Sequence, residues 1–190
     1  MYKRQPLTQA RWNLAATGNA DFGYFGGGNP GPLSTVDRVD YSNDTATAAA
    51  KGPLSVARRQ LGASSNINFG YFGGGDPGPY STVDRVDFSN DTAAAVAKGP
   101  LSLARRHLGA SSSRSNAIPA TTLINYAAGT VATHNKGYFF GGWPDDSHIR
   151  RIDYSNDDFA LLSTNLLTPC LLYTSPSPRD YAASRMPSSA

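Results

Sequence analysis

The chain of 190 residues has no glutamate, four lysines, two methionines, two tryptophans and one cysteine. Glu and Lys are among the best helix formers, whereas Asp and Gly favour turns. With all 14 acidic residues Asp and glycine numbering 19, a mainly helical fold is disfavoured. A lone cysteine, Cys170, cannot build a disulfide framework. No apolar run approaches the roughly 18 residues of a membrane helix, so no membrane span is expected. The start, MYKRQPLTQARWN, has no apolar core of a secretory signal. Charged residues are only 16% of the chain, with a formal net charge of +3.

What the chain has instead is repetition. Residues 22–66 and 69–113 align at an offset of 47 with 37 identities in 45 positions. Carried backwards, the register sets Pro6, Leu7, Ala10, Arg11 and Leu14 against Pro53, Leu54, Ala57, Arg58 and Leu61, as the tail of an earlier repeat. A third copy begins at GYFFGGW (137–143) and continues through IDYSNDD (152–158), after a delay of about 20 residues over which 113–136 interrupts the spacing. The expected division is a tail of a preceding repeat at 6–21, repeats at 22–68 and 69–115, an irregular insertion at 116–136 and a truncated repeat at 137–169. Fixed periods of this size mean solenoids, propellers or arrays, in which no unit buries its apolar face alone.

The two ends break the pattern. MYKRQ (1–5) and CLLYTSPSPRD (170–180) resemble translated sequencing-adapter read-through, so 1–5 and 170–190 are expected to be foreign to the repeat, the alternative being a genuine disordered tail. Setting them aside removes four of the 17 bases, one of the 14 acids and the only cysteine, leaving 13 charges of each sign. Neutrality argues against nucleic acid as a partner, since phosphate binding needs a basic surface.

Within a unit, FGYFG joins aromatic strand formers to glycines that permit close approach. GGGNPGP (26–32) has to be a loop. STVDRVDYS (34–42) is a strand with Val36, Arg38 and Asp40 on one face and Asp37, Val39 and Tyr41 on the other. Neither face is cleanly apolar, which predicts a bulge or an exposed edge. SNDT (42–45) supplies a tight turn. The alanine-rich ATAAAKGPLS (46–55) reads as a short strand in preference to a helix, because Gly-Pro closes its second copy.

This order of landmarks resembles the kelch repeat: GYFGG (23–27), VDRVDYSND (36–44), KGPLS (51–55) and Ala57-Arg58, repeated at 70–74, 83–91, 98–102 and 104–105. The resemblance implies an all-β, open, kelch-like β-propeller fragment of about three blades plus a partial one, completed by missing blades of the parent chain. Its glycine doublets would be Gly26-Gly27, Gly73-Gly74 and Gly141-Gly142. The tryptophan usual after the polar turn is absent near Ala48/Ala49 and Ala95/Val96, so Phe25, Tyr41, Phe72 and Phe88 are expected to pack between blades. The alternative is a stacked β-solenoid. There Arg58-Arg59 would lie on Arg105-Arg106, and Asp37 on Asp84, with like charges about one strand spacing apart.

Candidate chemistry is thin. The glycine-rich loops lack the Lys-Ser/Thr of a phosphate loop. Asp37, Asp40 and Asp44 lack the ligand pattern of a calcium loop. His107, His134 and His148 have no ligand spacing. Kelch-like sugar oxidases need a cysteine–tyrosine cross-link with histidine ligands, and residues 6–169 hold no cysteine. The expectation is a non-enzyme with no cofactor and no metal. Its candidate binding surface is Arg58, Arg59, Arg105, Arg106, Asn29 and Asp76, which recur once per unit as a multivalent display. The competing reading has these arginines pairing with Asp37- or Asp40-type carboxylates. The ligand would be a protein or glycan. The near-identical repeats also resemble repetitive proteins of marine phages, which implies a virion or tail-associated adhesion module. The alternative is a cellular or secreted kelch-type interaction scaffold.

Overall fold

The computed structural model describes residues 6–43, 45–112, 136–142 and 148–165. Among these there are twelve strands and no helix. They form three four-stranded antiparallel sheets, each a meander in chain order. Sheet 1 comprises β1 (Ala15–Gly18), β2 (Phe22–Gly26), β3 (Val36–Asp40) and β4 (Ala49–Lys51). Sheet 2 comprises β5 (Gly62–Ser65), β6 (Phe69–Gly73), β7 (Val83–Asp87) and β8 (Val96–Lys98). Sheet 3 comprises β9 (Gly109–Ser112), β10 (Lys136–Phe140), β11 (His148–Asp153) and β12 (Asp158–Asn165). The insertion at 116–136 lies outside the described residues apart from Lys136, which opens β10; so do both suspect ends and residues 166–169.

Repeat and sheet are out of phase. The small-residue strand closing each sequence unit, GASS at 62–65, is the first strand of the next sheet. First strands lie side by side, β1 against β5 and β5 against β9. Among the described residues no sheet shares a ladder with its neighbour, so equivalent residues there are not stacked as coils of a solenoid. The like charges on those coils give the physical reason. The alanine-rich segments form strands, β4 and β8, as their Gly-Pro stops predict.

Cores lie between sheets. One joins Tyr24 and Val36 of sheet 1 to Phe72 and Val86 of sheet 2, with Leu54 and Leu61 from the connection between them. The next joins Tyr71 and Val83 to Phe139, Ile152 and Tyr154, with Leu101 and Leu108. Alternation along β2 and β6 explains this. Tyr24 and Gly26 face forwards, and Tyr24 stacks on Phe88 at a centroid separation of 4.5 Å. Phe72 faces backwards onto Gly26, where an added Cβ would come within 2.7 Å of its ring. Tyr71–Tyr154 and Gly73–Phe139 repeat both contacts one sheet later. Phe72 and Phe88 thus do the inter-sheet packing assigned to them, whereas Phe25 and Tyr41 face away from sheet 2, Tyr41 being 52% exposed.

β3 corrects the expectation of an edge or a bulge: it pairs in unbroken register with both β2 and β4. Its charges are tolerated inside because the neighbouring segments neutralise them. Forwards, Arg38 lies over the Phe22 ring and donates to Asp91 in the next unit, while backwards Asp37 is paired with Arg11. Asp37 is therefore fully buried and Arg38 partly so, each neutralised, although neither face of the strand is apolar.

Two of the three glycine doublets also shift by one residue, and Gly141-Gly142 stays in place. Left-handed φ occurs at Gly27 and Gly28, Gly74 and Gly75, and Gly141 and Gly142, not at Gly26 or Gly73. The doublet turns the chain out of the sheet, while Gly26 and Gly73 are strand residues kept small to seat an aromatic ring.

Candidate binding end of the strands

Sheets 1 and 2 each leave their outer strand by a connection that crosses the strand ends and leads to the next sheet. Lys51 to Leu61 is one such strap. Leu54 N donates to Ser34 O and Arg58 N to Leu33 O, both at the end where the Gly-Asn-Pro-Gly-Pro loop emerges. From there Arg58 turns inwards. Its guanidinium donates to Asp84 Oδ2 at 2.6 Å, to Gly74 O at 2.7 Å and to Thr82 O at 2.9 Å. Ser55 supplies its backbone NH and hydroxyl to the same carboxylate. Thr8 and Arg11 hold Asp37 likewise. In sheet 3 the aligned position is Arg150, beside Phe139 in the ladder, and Arg105 donates to Gly141 O at 3.0 Å.

This divides the six residues proposed as a surface. Arg58 and Arg105 have no exposed surface, and Asn29 and Asp76 are only 5% and 2% exposed. The correction is physical: backbone carbonyls around the glycine doublet, joined at Arg58 by the Asp84 carboxylate, replace water at the guanidinium Nη groups, leaving only Arg58 Nε without a partner. The first arginine of each pair is a structural pin. The second is not buried: the Arg59 and Arg106 side chains keep 34% and 31% of their surface.

Four of the proposed residues do meet at the strand ends. Arg59 Nε and Nη2 both lie 2.8 Å from Asp76 Oδ2, and its Nη1 donates to Asn29 Oδ1 at 3.1 Å. Arg106 Nη1 donates to Asp76 Oδ1 at 2.5 Å. Burial pushes the Asp76 carboxyl up, but hydrogen bonds from Arg106 and Arg59 outweigh it and hold the group below its usual range. Backbone bridges tie Trp12 to Asn29 and Arg59 to Asp76, placing one connection per unit across the next loop.

Sequence reasoning missed the turns beside these arginines. Asn13, Gln60 and His107 have φ of 56°, 59° and 56°, a left-handed conformation that non-glycine side chains rarely adopt. They are joined in series: His107 N donates to Gln60 O at 2.9 Å, and Gln60 N to Asn13 O at 2.8 Å. Partial burial and the Arg106 charge push the His107 imidazole below its usual value, despite Asp76. Trp12, one residue before the series begins, is 58% exposed, and Leu103 is 42% exposed. The signal lay in the differences between the repeats. Of the eight positions that differ between 22–66 and 69–113, four fall at this end: Asn29/Asp76, Leu33/Tyr80, Val56/Leu103 and Gln60/His107.

A second polar device works between sheets. Asp91 accepts from Tyr24 Oη at 2.9 Å and Arg38 at 2.8 Å, with Lys51 Nζ at 3.1 Å. Asp157 repeats this with Tyr71 at 2.6 Å, Arg85 at 2.7 Å and Lys98 at 2.9 Å. These aspartates, in the turns after the third strand, are thus inter-sheet clamps. Among the described residues no group of three or more His, Cys, Asp or Glu side chains is placed to hold a metal ion. No protein-family model and no curated protein matches the chain.

Proposed function

We propose that the chain is a kelch-like propeller segment acting as a non-catalytic binding module. Its working surface is the strand end formed by Trp12, Asn13, Arg59, Gln60, Arg106 and His107. The observation that carries this reading is the series of left-handed turns at Asn13, Gln60 and His107, which sets a different side chain from each unit in one row. Elsewhere the units are nearly the same, and the repeated charges are consumed in pins and clamps. A row of unlike side chains on a uniform scaffold suits recognition, and weak contacts made once per unit gain from their shared tether. The recurring four-strand meander and the order of landmarks support the kelch-like part of the reading.

The test is binding of the full chain to arrays of glycans and of peptides, with Trp12→Ala and His107→Ala as counterparts. A ligand retained by the natural chain and lost by both variants is the expected result. No ligand on either array, or binding indifferent to both substitutions, would count against the module. Copper with a galactose-type substrate is expected to give no peroxide, and turnover would replace this reading with an oxidase. As an adhesion module the chain suits a virion or extracellular surface. Capsid, portal or baseplate genes beside its own would support that placement, and a long contig without them would remove it.

A further inference from the structure

The two contacts between sheets define what a further one requires. In each, the later sheet brings two aromatics backwards, Phe72 with Phe88 or Phe139 with Tyr154. The earlier sheet offers a glycine seat for the first and a tyrosine stack for the second. Sheet 1 carries the backward pair as well: Phe25 and Tyr41 align with Phe72 and Phe88 at the repeat offset of 47. Among the described residues no sheet covers them. Tyr41 is 52% exposed where Tyr154 is 4% exposed, and a cavity of about 480 Å³ opens around it, lined by Ala20, Asp21, Phe22, Asp40 and Ser42. At the matching place in sheet 2 the preceding sheet closes the space. Asn19 donates to Ile67 O, Thr17 approaches Gly70, and Tyr24 stacks on Phe88.

The strap for such a sheet is already docked. Ala48 N donates to Pro6 O as Ala95 N donates to Pro53 O. Thr8 and Arg11 bind Asp37 as Ser55 and Arg58 bind Asp84. In the connection between sheets 1 and 2 that strap descends from the last strand of the earlier sheet, β4.

We infer that the Phe25–Tyr41 face is a socket for one more four-stranded sheet of this repeat, with glycine at the seat and tyrosine at the stack, leading into Pro6 in the same polypeptide. Sheet 3 of a second copy is not that occupant. Its seat position holds Phe140, whose ring lies over Gly109 on the same face, so Phe25 of another copy would meet a ring instead of a gap. The backward aromatics and the filled seat give the array a direction: sheet 1 accepts a neighbour of this type and sheet 3 does not.

The experiment compares the natural chain with one in which residues 15–61 occur twice in tandem, with Tyr41→Phe in the first copy so that one Tyr41 reports the inner sheet. Nitration of that tyrosine by tetranitromethane is expected to fall about tenfold or more, because modification then requires the sheets to separate. Gly26→Phe in the first copy, imitating Phe140, is expected to restore the natural rate. A reporter nitrated at the natural rate in the tandem chain, or still protected beside Gly26→Phe, overturns the inference. A second measurement does not depend on the tandem chain folding. In the natural chain Phe25→Ser and Tyr41→Ser should leave the urea midpoint nearly unchanged, whereas Phe72→Ser and Phe88→Ser should lower it. Equal losses at both pairs would mean that Phe25 and Tyr41 are already packed, and would overturn the inference too. Either failure leaves the binding end untouched, because its residues take no part in this face.

Discussion

Arg58 and Asp84 form an ion pair at 2.6 Å with neither side chain exposed, and they lie on opposite sides of a sheet boundary. Arg58 belongs to the strap that leaves sheet 1, and Asp84 to β7 of sheet 2. The pair therefore fixes the order of sheets as well as their spacing. Removing one partner leaves a buried charge that the surrounding carbonyls or hydroxyl cannot neutralise. Arg58→Met or Asp84→Leu alone should cost about 3–5 kcal/mol in urea unfolding. The double variant should recover much of that loss, because an apolar pair in the same space has no charge left to desolvate. Equal costs for the double variant and the sum of the singles would show the two residues to be uncoupled.

The clamps predict how stability depends on pH. Burial raises the Asp91 and Asp157 carboxyls, but hydrogen bonds from Lys51 and Tyr24, and from Tyr71 and Lys98, together with the arginine charges, hold both below the usual value. Hydrogen bonds from Lys136 and Ser155 hold Asp153 lower still, to about 2. A carboxyl depressed in the folded state stabilises above its unfolded pKa, and that stabilisation is lost as pH falls through the folded one. The urea midpoint should therefore be flat from pH 7 to about 5 and drop steadily below about 4. Asp91→Asn with Asp157→Asn should lower the plateau and flatten the acid limb. An unchanged acid limb would assign the loss to other groups.

At the alkaline side the sign reverses. Burial first, and then the hydrogen bonds to Asp91 and Asp157, push Tyr24 and Tyr71 above the ordinary phenol value. A phenol whose pKa is raised on folding stabilises below its unfolded pKa and loses that contribution as pH climbs past about 10. Tyr24→Phe keeps the stack on Phe88 and removes the ionisable group. It should lower stability at pH 7 by about 1.5–3 kcal/mol, the range for a hydrogen bond to a charged acceptor, and soften the alkaline decline. A decline equally steep in Tyr24→Phe and Tyr71→Phe would show that neither phenol governs it.

The glycine seats make a steric prediction. A Cβ at Gly73 would approach the Phe139 ring to 2.8 Å, and that ring is wholly buried. Gly73→Ala should therefore cost about 1–3 kcal/mol as overpacking, and Phe139→Leu in the same chain should relieve part of it. Gly78→Ala is the control: it has φ of 72° but open space around it, so it carries only the backbone penalty, about 1 kcal/mol. Similar losses at Gly73 and Gly78, with no rescue by Phe139→Leu, would refute the seat.

Strands, turns and the repeat were legible in the sequence because each has a local cause: aromatics alternating with glycine, Asn-Asp in the turn, Gly-Pro after the alanines. The positions of the charges were not. Asp37 and Val39 share a face of β3, and only the incoming strap, with Arg11 and Thr8, buries and neutralises Asp37 there. A single strand's pattern cannot contain its neighbour's contribution. Arg58 and Arg59 are adjacent in sequence, yet one is a buried pin and the other half-exposed, since successive side chains of an extended segment point in opposite directions. The repeat count suggested a displayed pair, whereas the alternation makes it one structural and one available residue. Gly26 ends β2 directly before the two glycines that turn the chain, so local pattern groups it with them. Its role depends on a ring 46 residues later, beyond the reach of local pattern.

The left-handed turns tie stability to binding most directly. Gln60 and His107 keep side chains at a backbone conformation that glycine adopts without strain, and such strain costs of order 1 kcal/mol at each position. Gln60 donates and accepts, and His107 donates, through backbone groups along the row that joins the units, so glycine would preserve these bonds. Gln60→Gly and His107→Gly should therefore leave the fold as stable as the natural chain or up to about 1 kcal/mol more stable. If these side chains serve only the fold, no ligand property should change with them. If the row is the recognition surface, each substitution should weaken ligand binding severalfold while the urea midpoint holds or rises. His107→Gly should also remove any pH dependence of binding below about 6.5, the unperturbed imidazole value. Burial and the Arg106 charge lower the His107 pKa, so the titration behind this dependence lies on the acid side of that value. Unchanged affinity in both glycine variants, with unchanged stability, would leave the strain without a purpose at this end and remove the row from the binding surface.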